Sequence, residues 1–244
     1  QPTHPELLNW LAADLVEGGW KLKRMHKLIM LSRTYQMSST GNKAALAADP
    51  NNDFFWRFDM RRLTAEEIRD SILNLTGQLN LKMAGPSIYT EIPADVAKTA
   101  SRPGAAWGRS SKEDAARRSV YIFVKRSLRE PFLAAFDWAD TDNTCDVRFV
   151  TTVPTQTLTM MNSKFLNDSA EVLALRLQEE QPNDTPTQVA RALSLATSRP
   201  ATKTDIADGL KLIQHFRKKG INEPQALQRF CLLVLNLNEF VYLD

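Results

Sequence analysis

The order of apolar and polar positions along the chain predicts a mainly helical protein. Apolar residues recur at helical spacing in two N-terminal segments that begin near Pro5 and Leu22, and in a third that follows Thr64 and ends at Gly77. From Thr155 onwards nearly all apolar residues fit this spacing. The predicted C-terminal helices are residues 155–162, 164–179, 186–196, 204–218 and 223–235.

One segment has the composition of a strand. Residues 119–125 contain the β-branched and aromatic run from Val120 to Val124, which predicts a buried strand in a small sheet of two or three short strands. Another short strand is predicted over residues 147–152. The expected fold is therefore a helical domain with a small sheet around residues 119–125. We expect one domain over residues 1–244, with 1–152 and 153–244 as its two lobes if it divides.

The second predicted helix, residues 22–32, is basic and amphipathic. Helices of this kind bind membrane surfaces, with apolar side chains in the lipid and lysines towards the headgroups. The segment is short, however, and contains no Trp or Phe. We therefore favour a helix that packs on a protein core and exposes its lysines to solvent.

Composition narrows the class of protein. A chain of 244 residues with 43% hydrophobic content and a net charge of +3 has the make-up of a folded globular protein and not of a disordered one. No apolar run approaches the roughly 20 residues of a membrane span. The N-terminal residues lack an initiator Met and lead straight into a helix, so we expect this chain to be part of a longer polypeptide.

The cysteines and histidines give no sign of a metal or haem site. Cys145 and Cys231 cannot form a disulfide framework, and no CxxC, HExxH or CxxCH spacing occurs. We expect Cys145 to be a structural or free thiol and Cys231 to lie in the core; whether they bond to each other stays open. The sequence predicts no cofactor and no metal in this segment, apart from the calcium alternative considered below.

Charge is concentrated in the middle of the chain. Residues 98–130 contain nine basic and three acidic side chains. Arg117 and Arg118, with the aromatic residues between the charges, would suit a surface that binds nucleic acid, sulfated glycan or phosphate. We favour a solvated surface balanced by the acidic loop that follows, because no nucleic-acid-binding motif accompanies the charge.

The acidic loop supplies the remaining candidates for chemistry. Asp140 and Asp142 match the DxDxT motif of haloacid-dehalogenase-type phosphatases, but no apolar strand precedes them. With Asp146 they also have the alternating oxygens of a calcium loop, although Cys145 replaces the glycine and Thr151 the glutamate of an EF-hand. Turn formation is the favoured role. The candidate catalytic residues are Asp140, Asp142, Asp146, Arg117 and Arg118, and the three aspartates are also the candidate calcium ligands.

Several collinear stretches resemble the PSD1 domain, the uncharacterised DUF1553 family found in planctomycetes and related bacteria. They are His4-Pro5-Glu6-Leu7-Leu8, Trp56-Arg57-Phe58, Arg61-Arg62-Leu63, Ile68-Arg69-Asp70, Arg118-Ser119-Val120-Tyr121, Phe149-Val150-Thr151-Thr152-Val153-Pro154-Thr155-Gln156 and Leu235-Asn236-Leu237-Asn238-Glu239-Phe240. The resemblance covers nearly the whole chain. It carries over no catalytic residues.

The resemblance implies a context. It points to the C-terminal region of a large exported protein that also carries a DUF1549 region and often a cytochrome c domain. We therefore predict an accessory or interaction domain in the periplasm or outside the cell. Its partners would be the upstream domains of the same polypeptide, and any haem would lie in those domains. Two alternatives stay open: a catalytic domain that acts on complex polysaccharide, sulfated forms included, and anion or nucleic-acid binding through residues 98–130.

Overall fold

A computed structural model describes residues 2–98, 107–141 and 144–244. Within these ranges the chain forms 13 α-helices and very little strand, so the predicted mainly helical class is confirmed. The chain divides into two compact units. Unit 1 is residues 1–61 with residue 244, and unit 2 is residues 62–243.

Unit 1 contains three helices. They are α1 (Pro5–Glu17), α2 (Leu22–Met30) and α3 (Lys43–Ala48). Helix α1 ends at the pair Gly18-Gly19, and Gly19 and Trp20 take φ angles of 71° and 60° and reverse the chain. A bidentate ion pair between Arg24 and Asp14, with N–O distances of 2.5 and 2.7 Å, then joins α2 to α1.

The buried side chains in the described part of unit 1 are polar. Among its described residues only Asp49 and Asn52 are buried, and no apolar side chain is. The Asp49 carboxylate accepts the N–H groups of Asp53 and Phe54, both at 2.9 Å, and closes a turn. Phe54, in the aromatic cluster at residues 54–58, is 77% exposed.

Unit 2 contains the larger set of helices. They are α4 (Ala65–Thr76), α5 (Ala94–Lys98), α6 (Lys112–Ala115), a 3-10 helix (Ser119–Tyr121), α7 (Pro131–Ala135), α8 (Pro154–Asn162), α9 (Lys164–Glu180), α10 (Thr185–Thr197), α11 (Lys203–Lys218), α12 (Glu223–Val234) and α13 (Asn238–Val241). From α8 to α12, each boundary lies within one residue of the prediction. Their apolar spacing and terminal residues therefore suffice to locate them.

One main apolar core organises the helices of unit 2. Helices α9 and α12 pack along each other, and α4 and α10 pack against α9. Leu173, Phe230 and Ile72 represent these helices among the buried side chains. Helix α4 precedes residue 152 and α9 follows it, and both helices contribute to this core. The apolar core therefore continues across the predicted boundary between the lobes. Whether 1–244 is one domain or two stays a prediction.

The predicted strand over residues 119–125 is wrong. Ser119–Tyr121 is a 3-10 helix, and one isolated bridge between Ile88 and Ile122 replaces the expected pairing. The small sheet lies elsewhere and pairs β1 (Arg61–Arg62) with β2 (Tyr242–Leu243). Residues 147–152 form no strand either. A strand-forming run needs a partner of similar length, and Ile88 supplies only one residue.

Candidate functional site

Arg117, a predicted catalytic residue, is a structural side chain. It is only 2% exposed, and its guanidinium donates to the carbonyl oxygens of Ala84, Lys82 and Pro86 at 2.5, 3.2 and 3.2 Å. The same group lies over the ring of Tyr121, 3.9 Å from its centroid. These contacts hold the loop at residues 82–86. Arg117 is therefore not part of an exposed anion-binding surface.

The structure describes three of the other predicted site residues, Arg118, Asp140 and Asp146. Arg118 is exposed, and Asp146 is exposed on the loop after α7. Asp140 forms a 2.6 Å ion pair with Arg129. Asp142 lies outside the described residues. None of the described hydrogen bonds or ion pairs joins two members of the predicted set, so this part of the chain shows no assembled catalytic site among them.

The structure also shows where the possible metal ligands and the two cysteines lie. In the described ranges no group of three or more His, Cys, Asp or Glu side chains is placed to hold a metal ion. Cys145 is an exposed free thiol and Cys231 a buried one. Burial raises the pKa of Cys231, which makes its thiol a poor nucleophile. The prediction that Cys231 belongs to the core is confirmed.

A buried charge cluster lies between α4, the 3-10 helix and α7. Arg69 of α4 donates to the carbonyl of Ala115 at 2.6 Å and to the Ser119 hydroxyl at 3.1 Å. Its neighbour Asp70 accepts both the N–H and the hydroxyl of Ser119, at 2.8 and 2.6 Å. We call Arg69, Asp70, Ser119 and Glu130 the Arg69 cluster. It replaces the sheet pairing that was expected to hold residues 119–125.

Glu130 contributes a buried carboxylate to the Arg69 cluster. It is the N-cap of α7 and accepts the N–H of Leu133 at 2.6 Å. Burial raises the pKa of Glu130, although the Leu133 N–H and the charge of Arg69 oppose the shift. Burial also lowers the pKa of Arg69, against the attraction of Glu130 and Asp70. Burial therefore disfavours the charged form of both Glu130 and Arg69, and the attraction between them opposes this.

A second polar group surrounds Asp137, just after α7. Its carboxylate accepts from Arg62 at 2.7 Å and from the N–H and hydroxyl of Thr151 at 2.9 and 2.8 Å. The Gln156 amide donates to the Thr151 hydroxyl at 3.2 Å. We call Arg62, Asp137, Thr151 and Gln156 the Arg62 cluster. It joins two of the stretches that carry the family resemblance.

The Arg62 cluster is strained and incompletely paired. Asp137 takes a left-handed φ of 61°, and the Nε and Nη1 atoms of buried Arg62 have no hydrogen-bond partner. Burial acts to raise the pKa of Asp137, but the hydrogen bonds of Thr151 and the charge of Arg62 outweigh it, so this pKa is lowered. The aspartate is therefore charged at neutral pH and balances the buried guanidinium.

Unit 1 presents a helix with exposed apolar side chains. On α1, Leu7, Leu8, Trp10 and Val16 are all exposed, and we call them the α1 surface. This helix carries three acidic residues and no basic one. Exposed apolar side chains on a helix are available to a binding partner.

The family model for PSD1, described as a protein of unknown function (DUF1553), matches residues 1–213. The chain belongs to this family. The match to PSD1 includes unit 1 and most of unit 2, and therefore both charge clusters and the α1 surface. No curated protein and no solved structure matches the chain.

Sequence reasoning missed the main charged residues of this PSD1 domain. Arg69 did leave a signal, because it falls on the buried stripe of α4 with Ala65, Leu73 and Thr76, where a charge is exceptional. Asp137 left none. Its partner Arg62 lies far away in sequence, and its left-handed φ of 61° has no signature in the neighbouring residues. In the described part no helix is long and apolar enough to cross a bilayer.

Proposed function

We propose that this PSD1 domain is an accessory interaction domain of a larger exported protein, and that the α1 surface is where it attaches to the upstream domains of that polypeptide. The supporting observation is the absence of any buried apolar side chain from the described part of unit 1. Export and a periplasmic or extracellular location rest on the family resemblance alone.

Burial explains why the α1 surface would recruit a protein. Covering apolar surface contributes about 25 cal/mol for each Å² removed from water. In the described part of unit 1 no apolar side chain is fully buried, whereas unit 2 buries side chains from α4 to α13. A partner that covers Leu8 and Trp10 would stabilise unit 1 and gain affinity from the same contacts. The low basic content of α1 favours a protein over an anionic ligand.

Co-purification tests this function. The chain would be co-expressed with the upstream region of its reading frame, and the retained fraction measured after affinity capture. Replacing Leu8 and Trp10 by Ser (L8S/W10S) should weaken association by roughly 100-fold, since two exposed apolar anchors are lost.

A matched variant separates the α1 surface from general loss of exposed apolar groups. Leu158 of α8 and Leu175 of α9 are also exposed helical leucines, but they belong to unit 2. L158S/L175S should bind as the wild type does. Failure of the wild-type chain to associate with the upstream region, or equal losses in both variants, would refute the attachment role.

A further inference from the structure

The second helix of unit 1 differs from α1 in its charge. Residues 18–33 contain five basic side chains and no acidic one. Arg24 is engaged by Asp14 of α1, which leaves Lys21, Lys23, Lys27 and Arg33. In the part of the chain that the structure describes, no ion pair engages any of these four. The helix therefore carries unneutralised positive charge.

The apolar side of α2 is also unburied. No residue of the helix is buried; Leu22 is 58% exposed, and Leu28 and Ile29 are exposed as well. The sequence favoured a helix packed on a core, and that expectation is wrong. We call Lys21, Lys23, Lys27, Leu22, Leu28 and Ile29 the basic α2 surface.

An aromatic side chain adjoins this surface. Trp20, the residue before the N-cap of α2, is 70% exposed and held at a left-handed φ of 60°. Trp side chains favour the boundary between lipid and water because their rings are apolar and their N–H is polar. The absence of Trp or Phe within the helix argued against membrane binding, and Trp20 supplies this group from the adjoining turn.

We propose that the basic α2 surface binds an anionic lipid surface, with α2 lying in the plane of the membrane. Leu22, Leu28 and Ile29 enter the boundary between headgroups and acyl chains. The lysines extend their ammonium groups towards lipid phosphates, since long lysine stems allow the charge to remain in water.

Charge and apolarity on one helix favour lipid over other anionic partners. A nucleic acid would pair with the lysines, but it offers no apolar phase for Leu22 and Ile29. An anionic bilayer satisfies both halves of the surface at once. The proposal is independent of the attachment role of α1, whose charge has the opposite sign.

Vesicle flotation tests the proposal on the whole 244-residue chain. Vesicles of phosphatidylcholine with phosphatidylglycerol should carry the protein to the top of the gradient, whereas vesicles of phosphatidylcholine alone should carry much less. Each juxtamembrane lysine strengthens binding to such vesicles roughly fivefold. The charge variant K23Q/K27Q should therefore bind roughly 25-fold more weakly than the wild type.

Two further variants test the apolar half and the specificity of charge. L28S/I29S should weaken flotation at least tenfold, since both side chains would leave the lipid boundary. K203Q/K218Q removes the same charge from exposed positions of α11 in unit 2 and should bind as the wild type does.

The outcomes separate lipid binding from its competitors. Equal binding to both vesicle types, wild-type flotation of K23Q/K27Q, or undiminished flotation of L28S/I29S would overturn the proposal. So would tighter binding to RNA or to an acidic protein than to the anionic vesicles. K23Q/K27Q should keep its association with the upstream region and L8S/W10S its flotation, so failure of one role is distinguishable from failure of the other.

Discussion

At the scale of single residues, the buried carboxylate of Glu130 and the half-buried carboxylate of Asp137 respond to pH in opposite directions. Glu130 has a raised pKa because it is buried, and Asp137 has a lowered pKa because its hydrogen bonds and Arg62 outweigh its burial. A group with a raised pKa holds its proton more tightly in the folded chain than in the unfolded one. A group with a lowered pKa does the reverse. Each carboxylate therefore predicts its own dependence of stability on pH.

The stability due to Glu130 should be fully present below the ordinary carboxyl pKa of about 4.3 and should fall as the pH rises through the folded value. Glu130→Gln removes this dependence, and its amide oxygen can still accept the Leu133 N–H. We expect urea unfolding to show that the variant gains stability relative to the wild type as the pH rises above this value.

Asp137→Asn provides a control of opposite sign. The stability due to Asp137 is present above the ordinary carboxyl pKa and is lost as the pH falls through the folded value. The deficit of this variant against the wild type should therefore shrink towards acid pH. If both differences stayed constant with pH, neither carboxylate would titrate as described.

Arg117 and its neighbour Arg118 give a second comparison at this scale. Arg117→Ala should lower the free energy of unfolding by about 2–4 kcal/mol, because three carbonyl oxygens lose a buried donor. Arg118→Ala, at an exposed position, should change it by less than about 0.5 kcal/mol. Urea denaturation at neutral pH measures both. Similar small effects would show that Arg117 does not hold the loop at residues 82–86.

At the scale of elements, local signals located most helices and failed where tertiary contacts decide. Thr64 and Glu67 form a capping box at the start of α4, and Gly77 ends that helix as predicted, with a φ of 77°. The run from Val120 to Val124 has strand composition, yet the Arg69 cluster holds its start as a 3-10 helix. Sequence spacing reports which residues share a face, but not which distant partner is available.

Gly209 of α11 shows packing opposing helix propensity. Alanine favours a helix over glycine by about 1 kcal/mol. A Cβ at this position, however, would lie 2.6 Å from Cγ1 of Val189 and 3.0 Å from the ring of Phe230. We expect Gly209→Ala to destabilise unit 2 by about 1–3 kcal/mol in thermal or urea unfolding, since both neighbours are buried.

The control lies two residues earlier on the same helix. Ala207 is exposed, so Ala207→Gly should cost about 1 kcal/mol through propensity alone. A stabilising effect of Gly209→Ala would mean that α10 and α12 move apart readily. That result would contradict the close packing of α11 in the core.

At the scale of the whole molecule, the two units differ in the interactions that stabilise each of them. Unit 2 has an apolar core, whereas the described part of unit 1 relies on turns, one bidentate ion pair and buried polar side chains. The composition of the whole chain predicted a globular protein, but it does not distinguish the two units. The exposed α1 and α2 surfaces could not be deduced from periodicity, because an amphipathic stripe looks the same whether or not a partner covers it.

Local stability should follow this division. Backbone amides of α1 and α2 should exchange with deuterium at least 100-fold faster than those of α9 and α12, because neither α1 nor α2 has a fully buried residue whereas α9 and α12 lie in the apolar core. Hydrogen exchange followed by mass spectrometry measures this on the intact chain. Added anionic vesicles or the upstream region should slow exchange in unit 1 and leave α12 unchanged. Equal protection of the two units would contradict the difference in burial.

No apolar side chain is buried in the part of unit 1 that the structure describes, and this also sets how the chain tolerates substitutions. Where no side chain is closely packed, exchanging one apolar residue for another of different volume leaves folding almost unaffected. Most permissive substitutions for folding would thus fall in the first 61 residues, and most intolerant ones among the buried positions of unit 2. Selection for stability and selection for binding would act on different stretches of one polypeptide, and a mutational scan scored for each separately would produce two different maps.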